Sequence, residues 1–196
     1  ETLCQINWQR LYDVNRSNFQ TVYNINGIPG NTITGNRSLY ILQNRMMHTD
    51  KINFSSTINS RMNNHAYFTA GFNYQWQKNH YYQQLEDLLG GDFYIDLNQF
   101  AEQDFPNDPN AIQNDLNRPN RIIHEGDQYG YDYVITLKKV SAFSEFLYKT
   151  KYVDFFFGGE FSQTTFFRTG YVKNGLFPDN SFGHSTVNLF NNFSTK

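Results

Sequence analysis

From Ala66 to Gln77 the chain carries no charged residue and alternates without a break. Phe68, Ala70, Phe72, Tyr74 and Trp76 share one parity; Tyr67, Thr69, Gly71, Asn73, Gln75 and Gln77 share the other. Period two places alternate side chains on opposite faces of a strand. One face is then almost wholly aromatic and the other is amide, hydroxyl and glycine. A half-exposed strand of a soluble sandwich has the same period. The absence of charge on the polar side favours a strand set between lipid and a polar lumen.

Four further stretches follow the same grammar. Residues 38–62 put Ile52, Phe54, Ile58 and Met62 opposite Asn53, Ser55, Thr57, Asn59 and Arg61. A break near Thr49-Asp50 would split this stretch, but one strand is the better reading, because two would bring a long loop and a tight turn to the same end. Residues 129–148 put Tyr131, Tyr133, Ile135 and Leu137 on one parity and Val140, Ala142, Phe146 and Tyr148 on the other. The phase changes at Lys138-Lys139. A β-bulge is the simplest cause; the other is that only the lower part of the strand meets lipid. Residues 152–168 alternate Val153, Phe155, Phe157, Gly159 and Phe161 with Asp154, Gly158, Glu160, Ser162 and Thr164, with Phe156 as the exception. From His184, Val187, Leu189 and Phe193 oppose Thr186, Asn188, Asn192 and Ser194.

The connections are of two kinds. Met62-Asn63-Asn64-His65 and Tyr148-Lys149-Thr150-Lys151 are short and suited to tight turns. Residues 80–128 and 169–183 are long and rich in Gly, Pro, Asn and Asp. A structureless loop as long as 80–128 is foreign to a compact soluble domain. It is ordinary on the outer side of a barrel, whose inner turns are short. The expected fold is therefore all-β: an antiparallel up-and-down meander of about five long strands, a segment of a large transmembrane β-barrel. Its parts are an extracellular loop over 1–37, a hairpin over 38–79, a long extracellular loop over 80–128, a hairpin over 129–168, a loop over 169–183 and a strand over 184–196. One short helix is expected near the N-terminus, where Ile6, Trp8, Leu11, Tyr12 and Val14 approach helical spacing. Five strands cannot close a barrel, which needs about eight at least, so 1–196 is expected to be an internal fragment.

Composition agrees with a two-faced sheet. Aromatics reach 18 %, Asn alone contributes 25 residues, and only 17 % of residues are charged, against about 25 % in soluble domains. Mean hydropathy is −0.65, and no apolar run approaches the roughly 18–20 residues of a membrane helix. A net charge of −2 with no basic patch argues against a nucleic-acid partner. Cys4 is the only cysteine, which excludes an internal disulfide and a multi-cysteine zinc site.

Catalytic chemistry finds no foothold. There is no nucleophile elbow, P-loop or dinucleotide fingerprint, and His48, His65, His80, His124 and His184 lack metal-ligand spacing. Gly90-Gly91 reads as a turn. Asp154 and Glu160 are about 20 Å apart along a strand, too far for an acid–base pair. Residues 80–132 hold Glu86, Asp87, Asp92, Asp96, Glu102, Asp104, Asp108, Asp115, Glu125, Asp127 and Asp132. Oxygen-rich loops can hold Ca²⁺, but Pro106 and Pro109 break any EF-hand spacing, so a solvated acidic loop is the default. Phe93, Tyr94, Phe100, Phe105 and Tyr129 could stack on a ligand, though packing within the loop is the simpler use. The expectation is a non-enzyme with no catalytic, cofactor or metal residues, no cofactor, and unknown ligand-binding residues.

Four segments, 6-INWQRLYDVN-15, 88-LLGGDFYIDLNQFAEQDF-105, 113-QNDLNRPNRIIHEGDQYGYDY-133 and 174-NGLFPDNSFGHS-185, resemble the barrel of TonB-dependent receptors, in particular the Bacteroidetes-type receptors with a carboxypeptidase-regulatory-like domain. With the strands between them they span nearly the whole chain. The resemblance implies energised ligand uptake across the outer membrane of a Gram-negative bacterium. It implies outer-membrane lipid as one partner, and the TonB complex as another through parts of the parent protein outside this chain. The transported ligand, whether small molecule, peptide or glycan, stays open. The alternatives are another outer-membrane barrel (porin or assembly protein), a soluble all-β carbohydrate-binding module, or a barrel enzyme.

Overall fold

A computed structural model describes residues 5–195; Cys4 lies outside them. The protein is mostly antiparallel β-structure. In chain order its elements are α1 (Trp8–Ser17), β1 (Phe19–Tyr23), a 3-10 turn (Ile25–Gly27), β2 (Thr32–Asn36), β3 (Leu42–Arg61), β4 (Ala66–Asp87), β5 (Tyr94–Ile95), α2 (Gln99–Asp104), β6 (Ile122–Ile123), β7 (Gln128–Lys149), β8 (Asp154–Gly170), β9 (Gly183–His184) and β10 (Asn188–Thr195). The long strands form one sheet in the order β10-β8-β7-β4-β3, with β9 pairing β8 beside them. Two small sheets, β1-β2 and β5-β6, accompany it.

The described residues form two compact units. Unit 1 gathers the chain up to His48, His80–Tyr133 and Thr169–Gly183; unit 2 gathers Thr49–Asn79, Val134–Arg168 and the chain from His184 on.

Unit 2 is sheet and tight turns. The N–H of Met62 donates to the carbonyl of Ala66 at 3.0 Å, closing the β3-β4 hairpin. Asn63 accepts from the N–H groups of His65 and Ala66 at 2.8 Å each, the local role that makes Asn a turn residue. The same register sets Thr69 beside Asn59 (2.9 Å) and Thr49 beside Asn79 (2.9 Å). Lys149 N–H donates to the His65 carbonyl at 2.8 Å, aligning β7 on β4, and Thr150 N–H donates to Val153 at 3.1 Å, closing β7-β8. β10 lies antiparallel to β8 with Phe193 opposite Phe161 and Ser194 opposite Glu160.

Unit 1 departs most from the expected loops. The first residues of 80–128 continue β4 to Asp87, and the remainder carries β5, α2 and β6. It has its own apolar core. Val22, Ile25, Phe93, Ile95 and Leu97 form one cluster, and Leu85, Leu88, Tyr94, Ile123 and Tyr129 another. The short helix expected near the N-terminus is α1, and the described part of the 1–37 segment adds a hairpin that was not expected, with Val22 opposite Ile33. Among the described residues two α-helices are therefore present where one was expected. Asn7 and Asn98 cap them, Asn7 accepting from the N–H of Arg10 and Asn98 from the N–H groups of Phe100 and Ala101.

The single strand expected through Thr49-Asp50 is present as β3. Two other expectations change. The last stretch begins with the short β9, and regular pairing resumes only at Asn188. The phase change at Lys138-Lys139 is not a bulge: Asn73 meets Ser141 in unit 2 and Tyr81 stacks on Tyr133 in unit 1. Both pairs join odd to odd, whereas one inserted residue would have exchanged the faces. Tyr133, Ile135 and Leu137 therefore share a face with Lys139 and Ser141. Apolar residues occupy both faces of β7 in turn, which hydrophobicity alone reads as a slip.

Candidate functional site

The register of unit 2 sorts its side chains. Ile52, Phe54 and Ile58 of β3, Phe72 of β4, and Val140 and Tyr148 of β7 all have even parity, and the hairpin pairings carry that face to Phe155, Phe157 and Phe161 of β8 and to Leu189 and Phe193 of β10. Every one of these side chains is exposed, Ile58 at 66 % and Phe157 at 63 %. The result is a single apolar face across five strands, far larger than the scattered apolar residues of an ordinary soluble surface. Phe156 and Phe190 are exposed with the opposite parity; Phe190 stacks on Phe166 with centroids 5.8 Å apart.

The opposite face is polar. Gln75 donates to Gln77 at 3.1 Å, Gln77 to Asn79 at 2.9 Å, and Asn73 to Ser141 at 3.4 Å. A concavity of about 400 Å³ opens there, lined by Asn53, Ser55, Asn73, Gln75 and Ser141, with Lys139 and Glu160 as its charged groups. Such a wall offers hydrogen bonds of both senses and little net charge. Glu160, flagged in the sequence beside Asp154, is part of it.

In unit 1 the acidic residues work mainly as turn and cap acceptors. Asp92 accepts from Asn36 N–H at 2.7 Å, Asp108 from Asn110 and Ala111, Asp127 from His124, and Asp87 from Leu89. Glu102 pairs with Arg37 at 3.3 Å. Asp115 is buried and accepts from Arg118 Nε at 3.1 Å and from Lys173 N–H at 3.2 Å, tying the 169–183 segment to the 80–128 segment. Among the described residues no three His, Cys, Asp or Glu side chains converge as a metal site would require.

Asp96 is the outlier of this group. It is 2 % exposed. Its Oδ1 accepts from Asn114 Nδ2 at 2.8 Å and Gly130 N–H at 2.9 Å. Among the described residues its Oδ2 has no hydrogen-bond partner, and Arg121 Nη1 stands 3.9 Å away. Burial raises the carboxyl above its ordinary pKa against those two hydrogen bonds and Arg121. The neighbouring Tyr94 hydroxyl is pushed up to about 12 by its own burial and by the charge of Asp96.

Phe93, Tyr94 and Tyr129 are buried in the core, while Phe100 and Phe105 are exposed. The structure also assembles a group that spacing in the sequence hid. His80 Nε2 meets Asp132 Oδ1 at 2.6 Å, Tyr82 packs on His80 with centroids 4.8 Å apart, and Tyr82 hydroxyl meets His48 Nε2 at 3.0 Å. Only the register between β3, β4 and β7 brings these distant positions together. His65 instead meets the Lys149 carbonyl at 2.9 Å in the turn region of unit 2.

Comparison with known proteins finds no matching family model, no matching curated protein and no matching solved structure.

Proposed function

We propose that the chain is part of the barrel of an outer-membrane receptor of TonB-dependent type, which takes up a ligand with energy delivered from the inner membrane. The observation that carries this reading is the one-sided apolar face of unit 2. An aliphatic and aromatic face of that extent, backed by a face of amides and hydroxyls, suits lipid on one side and a polar lumen on the other. Strands of 20 and 22 residues exceed the roughly 9–11 needed to cross the hydrocarbon. Tight turns join β3 to β4 and β7 to β8, while long folded segments join β4 to β7 and β8 to β10, the asymmetry of inner turns and outer loops. A spanning sheet must satisfy every backbone group internally, so in this reading further strands complete the barrel at the edges β3 and β10. The resemblance of the unit 1 segments to TonB-dependent receptors selects this class among barrels.

Expression in a Gram-negative host tests the reading. The protein should fractionate with the outer membrane, resist salt extraction and enter solution only with detergent. Uptake of its ligand should stop when TonB is deleted while insertion persists. Uptake that continues without TonB would make the barrel a passive pore, and a protein soluble without detergent would end the membrane reading.

A further inference from the structure

We propose that Lys78 and Lys138 form a docking site for a phosphate group of an anionic lipid headgroup, at the margin of the apolar face; the proposal rests on the membrane reading above. Both lysines belong to unit 2, on the adjacent strands β4 and β7. The register set by the Lys149–His65 backbone bond and the Asn73–Ser141 contact puts Trp76 opposite Lys138 and Thr136 opposite Lys78. The two ammonium groups are then diagonal neighbours on the face that carries Phe72 and Trp76. Diagonal neighbours on a sheet are within reach of long side chains, and like charges there repel unless something neutralises them.

Among the described residues, neither lysine makes an ion pair. Asp50 is the one acidic group that the β3-β4 register brings opposite Lys78, and it makes no ion pair with it. Lys78 is the next residue after Trp76 on the same face of β4, and Lys138 precedes the run that begins at Val140. A paired positive charge at the polar margin of a lipid-facing band lies at headgroup depth. Each lysine there favours an anionic lipid by roughly tenfold at most. The margin is the one toward the long segments, hence the outer leaflet in this reading, where the anionic groups are phosphates on glycolipid.

The test uses protein purified in detergent from outer membranes, with bis-phosphorylated lipid A and its dephosphorylated form as probes. The phosphorylated form should bind more tightly. The double variant K78Q/K138Q should lose that preference by about 30-fold, while Lys149→Gln, which removes a lysine at the opposite end of β7, should not. Inorganic phosphate at equal concentration should not compete. The site is overturned if the double variant binds like wild type, if both forms of lipid A bind equally, or if free phosphate competes on a par. Membrane fractionation of the same variants separates the two failures. A protein found soluble overturns the barrel reading and the site with it; an inserted protein with unaltered headgroup binding overturns the site alone.

Discussion

Phe143 lies directly over Gly71 on the polar face of unit 2, so that a Cβ at Gly71 would clash with the edge of the Phe143 ring. The ring covers backbone that a glycine would otherwise leave bare, and the glycine makes room for the ring. Gly71→Ala should therefore destabilise the sheet by about 1–3 kcal/mol, the range of overpacking, although alanine suits a strand better than glycine does. Phe143→Ala should relieve most of that cost. A double-mutant cycle on unfolding in detergent measures the coupling, and simple additivity of the two substitutions would contradict the packing.

Asn15 of α1 is fully buried and serves as a hub in unit 1. Its Nδ2 donates to the carbonyls of Tyr40 (2.7 Å), Leu88 (2.9 Å) and Leu89 (3.2 Å), and its Oδ1 accepts from the N–H groups of Leu39 (2.9 Å) and Tyr40 (3.1 Å). Asn15→Ala would strand several buried backbone groups, each costing about 1–3 kcal/mol. Asn15→Asp should be no better, since a carboxylate would face three carbonyls. Hydrogen exchange should show lost protection at Leu39 and Tyr40 in both variants, with little change in unit 2.

Asp96 predicts a pH dependence of unusual sign. Its folded pKa is raised by burial. Between the ordinary carboxyl value near 4 and that raised value, the folded protein holds a proton that the unfolded chain has lost. Stability contributed by this group therefore falls as pH rises through the window and is level above it. Asp96→Asn keeps an acceptor for Asn114 and Gly130 and cannot titrate. The stability of wild type relative to Asp96→Asn should decline from pH 4 upward in thermal unfolding of unit 1. A relative stability that climbs with pH would show that Arg121 dominates instead.

The strands were legible because a period of two survives any tertiary arrangement, and the short turns expected at Met62-Asn63-Asn64-His65 and Tyr148-Lys149-Thr150-Lys151 announced the hairpins, the second of which lies two residues later, between Lys149 and Asp154. The interior of 80–128 was not. Phe93, Ile95 and Leu97 alternate over too few residues to stand out among Gly, Asp and Pro, and their partners Val22 and Ile25 lie some seventy residues earlier. A core assembled from three separate segments leaves no local period. The same holds for His80 and Asp132, which no motif spacing relates. The facing of β7 was misread for a third reason: hydrophobicity reports burial, and Tyr133, packed on Tyr81, is covered on the face that carries Ser141 lower down.

The last prediction separates the two faces of one strand. Phe72 and Asn73 are neighbours on β4; Phe72 is 41 % exposed on the apolar face, and Asn73 lines the polar concavity. Under the proposed function Phe72 meets lipid and Asn73 the lumen. A carboxylate on the lipid face costs up to a few kcal/mol near the midplane, whereas lumen substitutions are tolerated. Phe72→Asp should block or strongly reduce assembly into the outer membrane, and Asn73→Asp should assemble at close to the wild-type level. Protease protection and heat-modifiable migration on gels measure this in the same cells. In a soluble sheet the order would reverse, because aspartate at an exposed site improves solubility and does no harm. Equal assembly of the two variants, or better behaviour of Phe72→Asp, would therefore remove lipid as the partner of the apolar face.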